Sequence, residues 1–197
     1  ILGGYVHFRT DMLTHNTQGQ DPAEVQRLLQ QLEAANAVSR GMLIPAGKTG
    51  AMDSVERLLG FVPTCLKVFA ATGQQRLGLF SDDFKARFKG RDSTRLFLDG
   101  LDIPAVLNGR DPLNKSLFVW AKSFLPTYIL NLLGDRMEMA HSIEGRVPFL
   151  DHRVVECVCR APVSMKIRGV TEKHLLREAA KPVITDTVYR RQKHPFL

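Results

Sequence analysis

The 197-residue chain has little cysteine, a single tryptophan and no long apolar run. Its three cysteines, Cys65, Cys157 and Cys159, cannot all pair, and no C-x-x-C spacing occurs. That excludes a secreted disulfide framework and points to reduced thiols in a cytoplasmic setting. Cys157 and Cys159 form a C-x-C without a second ligand pair, so they read as buried or inert thiols and no metal ligand is assigned. No run of about 18 apolar residues and no signal-peptide pattern is present, so no membrane partner is expected. No segment alternates convincingly between apolar and polar residues, which argues against a sheet-dominated fold. Internal repeats and low-complexity tracts are also missing.

What is present suits one soluble globular domain, with 44% hydrophobic and 24% charged residues. The net charge is +7. Such a balance fits a nucleic-acid surface, an acidic partner, or a site that handles polyanions. The basic residues are scattered, and the densest cluster is Arg190-Arg191-Gln192-Lys193-His194, with Tyr189 and Phe196 beside it. No helix-turn-helix, zinc or RNP pattern accompanies it, so no nucleic-acid partner is expected. Gly47-Lys48-Thr49-Gly50 resembles a phosphate loop only superficially. The upstream glycine spacing is wrong and no apolar strand leads into it.

Helical signals dominate. Asp21-Pro22-Ala23-Glu24 suits a helix start, followed by an apolar stripe at Val25, Leu28, Leu29 and Leu32, with Gly41 as the expected end. A second helix is expected from Asp53 or Ser54 to before Pro63, and a third capped by Thr64 and running to about Phe80. Ser81-Asp82-Asp83 caps a short fourth. Gly90–Pro112 reads as one short helix and loops. Asn114–Leu133 is apolar and broken near Pro126. Asp186–Tyr189 and Ala161–Ile167 read as extended.

The densest chemistry lies in Asp135–Asp151, DRMEMAHSIEGRVPFLD. This run resembles the synthetase-domain signature of the glutamine-dependent asparagine synthetases, roughly D-R-x-x-M-x-x-S-x-E-x-R-x-P-F-L-D. Asp135, Arg136, Met139, Ser142, Glu144, Arg146, Pro148, Phe149, Leu150 and Asp151 fill every fixed position. Two further matches accompany it. Ile1-Leu2-Gly3-Gly4-Tyr5 resembles the tail of the family's G-E-G-A-D-E-L-F-G-G-Y loop, and Lys173-His174-Leu175-Leu176-Arg177-Glu178 resembles its K-x-x-L-R-E helix. The family's S-G-G-x-D-S loop and its glutaminase domain with a terminal cysteine have no counterpart here. The first residue is Ile1 rather than Met. The expectation is therefore the mainly α, C-terminal portion of a PP-loop ATPase-like (adenine-nucleotide α-hydrolase-like) synthetase domain, cut from a longer protein and inactive alone.

The resemblance implies roles residue by residue. Lys173, at the first turn of a helix capped by Thr171, would stabilise phosphate charge; the alternative is an ordinary surface lysine. Glu144 would orient substrate and positive neighbours, or belong to an acid/base pair; the alternative is a buried ion pair with Arg146 or Arg136. Arg136 would meet the nucleotide, its fork suited to phosphate or carboxylate. Gly3, Gly4 and Tyr5 would shape the pyrophosphate loop. Asp135, Arg146 and Asp151 are expected to be structural, Asp151 by capping the following helix. His141 is expected to pack on Glu144.

The implied reaction is adenylation of the aspartate side-chain carboxylate by ATP, with Mg2+ held largely by other residues. Ammonia from glutamine then gives asparagine, AMP and pyrophosphate. A homodimer is compatible with this reading. Two rivals stay open: a related amide or lactam synthetase with another carboxylate acceptor, and a non-catalytic helical interaction module.

Overall fold

Asp21 folds its carboxylate onto the Ala23 amide at 3.1 Å, Pro22 follows at the first helical position, and a helix runs from there. The computed structural model of the chain describes residues 2–16, 19–39, 45 and 52–192. Gly41, the Gly47–Gly50 stretch, Lys193, His194 and Phe196 lie outside the described residues. Of the described residues, 71% are helical. Among the described residues it has no strand, only an isolated antiparallel bridge between Arg168 and Thr171. The chain forms two compact units, one of residues 1–4 and 116–197 and the other of Tyr5–Lys115.

The Tyr5–Lys115 unit is built around α1 (Val6–His15), which packs on α2 (Pro22–Ala35) and later on α4. The sequence pattern did not announce α1, because it buries polar residues along with apolar ones. His7, Arg9 and Asp11 are as buried as Val6, Phe8 and Leu13. A buried charge needs a partner, and these have theirs. Arg9 donates to the Asn36 side chain at 3.4 Å, and Asn36 in turn donates to the Leu32 carbonyl at 2.7 Å. α2 thus ends at Ala35, with Asn36 as its C-cap, ahead of the Gly41 end expected from sequence.

α3 (Asp53–Leu59) buries Val55 and Leu59 and stops at Gly60, whose φ of +84° supplies the left-handed residue that commonly closes a helix. α4 (Thr64–Arg76) begins at Thr64, but Thr64 does not cap it. The cap comes from α1: the Asp11 carboxylate accepts from the Thr64 amide at 2.9 Å and from its hydroxyl at 2.6 Å, fully out of solvent. Cys65 follows, buried, its thiol pushed up by that burial. Cys157 and Cys159 are exposed instead.

α5 (Asp82–Arg87) is capped by Ser81, which accepts from Phe84 at 3.3 Å. The expected single short helix in Gly90–Pro112 is two, α6 (Ser93–Asp99) and α7 (Ile103–Leu107), both packed on α3. Asp92 caps α6 through the Arg95 amide at 2.9 Å.

α8 (Pro112–Lys122) carries the unit boundary. After it the helix axis bends by 47° and continues as a wide π-type segment, Leu125–Asp135, leading into α9 (Arg136–Ala140). The Arg136 amide donates five residues back, to the Asn131 carbonyl. The break precedes Pro126, which sits in the opening turn, where a missing N–H costs no bond. The rings of Trp120, Phe124 and Tyr128 meet in series across the bend, each pair tilted, with centroids 4.5 and 4.6 Å apart. Among the described residues no single helix is long and apolar enough to cross a membrane.

The remaining helices of this unit are α10 (His152–Arg160), α11 (Val163–Lys166), α12 (His174–Ala180) and α13 (Asp186–Arg190). α11 and α13 replace the extended segments expected from sequence. Each is very short, below the length at which periodicity is readable, and α13 is set by Thr185, whose hydroxyl accepts from the Val188 amide.

Removing the Asp11 cap tests this account of the Tyr5–Lys115 unit. Asp11→Ala should lower stability by about 2 kcal/mol, because it strips the α4 amide and a buried hydroxyl of their acceptor. Urea unfolding of the intact protein checks it, and a loss under about 0.5 kcal/mol would contradict the assigned cap.

Candidate functional site

The first unit gathers two groups of motif residues. In the first, the incoming chain at Gly3 and Gly4 lies against the loop that precedes α12. Gly3 has φ +65°, and a Cβ there would sit 2.9 Å from Cγ1 of the fully buried Ile167. At Gly4 a Cβ would lie 2.5 Å from Lys173 Cε. The aliphatic stem of Lys173 therefore crosses bare backbone at Gly4, an approach that glycine permits.

Lys173 itself has left-handed backbone, φ 52° and ψ 35°. That conformation costs a non-glycine residue about 1–2 kcal/mol, so the surroundings must enforce it. Thr171 does not cap the helix as expected from sequence. Its backbone exchanges two hydrogen bonds with Arg168, at 3.1 and 2.9 Å, closing a tight turn. α12 instead begins at His174, with Lys173 at the N-cap position and its carbonyl accepting from the Arg177 amide at 2.9 Å. Lys173 thus precedes the helix rather than lying in its first turn.

The loop is held by a residue that sequence reading passed over. Arg177 meets the buried Glu172 carboxylate at 2.5 Å through Nη2, and its Nε donates to the Glu172 carbonyl at 3.0 Å. Its other contacts reach α13: Nη1 donates to the Tyr189 carbonyl at 2.5 Å and Nη2 to the Arg191 carbonyl at 2.8 Å. The Tyr189 hydroxyl donates to Glu178 at 2.5 Å. That bond holds the Glu178 carboxyl below its ordinary range and raises the phenol above its own. The signal was available, since Arg177 and Glu178 are the R-E of the K-x-x-L-R-E match.

The second group is the signature segment. Asp135 ends the π-type segment without a side-chain cap, and Arg136 opens α9, exposed. Glu138 folds back on the following loop, taking the Gly145 amide on Oε2 at 3.1 Å and the Ile143 amide on its carbonyl at 2.9 Å. A Cβ at Gly145 would strike that carboxylate. Ser142 takes left-handed backbone, φ 54°, within the same loop. Glu144 pairs with Arg146 at 2.8 Å, but both side chains are open to solvent, at 71% and 81%, so the pair is not the buried one considered from sequence. His141, expected to pack on Glu144, bonds the Met137 carbonyl through Nδ1 at 2.8 Å, one turn back along α9. Asp151 accepts from the Arg153 amide at 2.9 Å at the start of α10.

Tyr5 belongs to the other unit, at the N-cap of α1, where its ring stacks on His7 at 5.4 Å and burial raises its phenol pKa. The structure thus joins Gly3 and Gly4 to the Ile167–Lys173 loop, and Glu144 to Arg146, as two groupings. Among the described residues no three His, Cys, Asp or Glu side chains converge to hold a metal ion.

Chemically, the first group offers an ammonium on a fixed backbone beside bare glycine amide chain, an arrangement suited to anionic oxygen. The second offers an exposed carboxylate, an exposed guanidinium and Arg136.

The sequence matches the asparagine synthase family model over residues 1–197, and the chain belongs to that family. It is similar to amidase Chry2 of Gibberella zeae, 38% identical over 50% of this chain and 16% of that protein. It is also similar to amidase ChyE of Penicillium rubens, 38% identical over 44% of this chain and 14% of that protein. Glutamine-hydrolyzing asparagine synthetase 3 of Bacillus subtilis is 32% identical over 62% of this chain and 20% of that protein. The chain therefore spans about a fifth or less of the length of these relatives. No solved structure matches it.

Two outcomes follow from the geometry. Gly3→Ala should destabilise by about 1–2 kcal/mol, from a left-handed φ and a clash with Ile167; denaturant titration showing no change would refute the close approach. Arg146→Ala should cost less than about 0.5 kcal/mol, because its partner is solvated. A larger loss in the same titration would show that the pair is structural.

Proposed function

We propose that this chain forms part of an ATP-dependent amide-forming ligase that adenylates a carboxylate, in the first instance the aspartate side chain, and passes the acyl group to glutamine-derived ammonia. The carboxylate oxygen attacks the α-phosphorus of ATP, forming the acyl–adenylate and expelling pyrophosphate. Ammonia then attacks the acyl carbon, a proton is lost, and AMP departs with the C–O electron pair. Little covalent chemistry falls to the protein. Its work is to place the reactants and to balance charge on the phosphates.

The observation that carries this reading is the Lys173–Gly4 approach within a family of asparagine synthases. Lys173 would present its ammonium to the phosphates, where negative charge builds as pyrophosphate leaves. Gly3 and Gly4, which leave room for Ile167 and for the Lys173 stem, would shape the end of the pyrophosphate loop. Arg136, exposed at the start of α9, would take a phosphate or carboxylate with its fork. Glu144, solvated and paired with Arg146, would orient the acceptor or the amine. Tyr5, the next residue in sequence, would shape the end of the same pyrophosphate loop. The described residues do not assemble a magnesium site, so no step is assigned to the ion through them.

A second reading concerns the acceptor. Two of the similar proteins are named amidases. An acceptor other than aspartate, handled by the same adenylating machinery, fits those names.

ATP–pyrophosphate exchange by the intact protein tests both. Exchange should require a carboxylate acceptor, and Lys173→Ala should lower it at least about 100-fold, the scale for losing one charge-stabilising group. Exchange with aspartate supports the first reading; exchange only with other acids supports the second. Undiminished exchange in Lys173→Ala would remove Lys173 from the site.

A further inference from the structure

Arg177 makes more contacts than an ordinary helix-surface arginine needs. Its side chain is largely shielded, and Nε, Nη1 and Nη2 donate to four acceptors: the Glu172 carboxylate, the Glu172 carbonyl, and the carbonyls of Tyr189 and Arg191. These acceptors belong to two segments. One is the loop that sets Lys173 in left-handed backbone over Gly4. The other is the end of α13, where the chain turns into the basic run that starts at Arg190 and Arg191. Only a planar guanidinium, with five donors in a fixed fork, serves four such acceptors at once; a lysine ammonium has three donors on one atom.

We propose that Arg177 is a positioning residue for the reaction: it locks the Glu172–Lys173 loop to the end of α13, so that the Lys173 ammonium is held in place over Gly4, facing the phosphates. The proposal rests on the reading of Lys173 as a phosphate-binding group. Arg177 itself is turned away from that role, since its donors are committed to protein acceptors. The Tyr189–Glu178 bond and the Lys181 ammonium, 5.2 Å from the Tyr189 ring centroid, brace the same junction from outside. The left-handed Lys173 is the strained point, and the clamp is what keeps it there. Released from Glu172, the loop would relax and carry the ammonium off its place over Gly4.

The test uses the intact protein and two readouts. Hydrogen exchange needs no acceptor acid. Arg177→Lys should speed amide exchange in the peptides covering 168–176 and 186–192 together, with the Tyr5–Lys115 peptides unchanged. Acceleration in only one of the two segments would overturn the coupling. The second readout is a mutant cycle on ATP–pyrophosphate exchange. Arg177→Lys should lower kcat about 100-fold, the scale of a misplaced reacting group, with a smaller change in KM for ATP. In a Lys173→Ala background the same change should cost under about threefold, because the two act as a unit. Equal losses in both backgrounds would overturn the proposal. If Lys173→Ala collapses exchange while Arg177→Lys leaves it intact, the positioning role fails and the phosphate reading stands. If Lys173→Ala leaves exchange intact, the phosphate reading fails and the positioning role with it. Should Arg177→Lys not fold, Glu172→Gln replaces it in both arms, with an expected loss of about tenfold from exchanging a charged acceptor for a neutral one.

Discussion

Glu172 and Arg177 meet at 2.5 Å with nearly all of the carboxylate and most of the guanidinium out of solvent. Two charges removed from water cost as much as their attraction returns, so the pair is poor evidence for stability as such. What it supplies is definition. A carboxylate and a guanidinium in this position admit few arrangements, and each constrains the chain around it. The pair fixes the turn from Arg168 to Lys173, the start of α12 and the approach of α13. Lys173 inherits its unusual backbone from those constraints. The glycines at positions 3 and 4 complete the arrangement from the other side, because any side chain there would displace Ile167 or Lys173.

The two motif groups differ in how firmly they are held. Around Lys173 the backbone is crowded, and hydrogen bonds come from several elements. Around Glu144 the loop is shaped internally by Glu138, while Glu144 and Arg146 reach into solvent. Met137, Met139, Ile143, Val147 and Phe149 of the same segment are also open to solvent. An exposed apolar stretch of that kind is characteristic of a contact surface rather than of a free loop. The chemistry assigned to Glu144 and Arg136 thus depends on what they meet, whereas the placement of Lys173 is set within its own unit.

Helices announced by local caps were legible in the sequence. Asp21 and Ser81 each bond an amide two or three residues on, and such contacts are written in consecutive residues. The kink near Pro126 was legible for the same reason. α1 was not, because its buried Arg9 and Asp11 look like surface residues until Asn36 and Thr64 are brought to them from distant positions. The cap of α4 was misread on the same ground: the acceptor is Asp11, 53 residues away. For the candidate site, the motifs pointed to Lys173 and the glycines, but spacing alone placed Lys173 inside the helix. The left-handed residue and the committed Thr171 backbone put it just before. Arg177 was visible as a motif letter, and its importance appears only once α13 folds back to offer two carbonyls.

Lys173 is proposed to stand fixed where the phosphates of ATP bind. Amine-directed acetylation of the intact protein, read by mass spectrometry at each lysine with and without ATP, tests it most directly. The account predicts that ATP slows modification of Lys173 while Lys85, exposed in the other unit, reacts at an unchanged rate. Equal modification of Lys173 in the presence and absence of saturating ATP would contradict it.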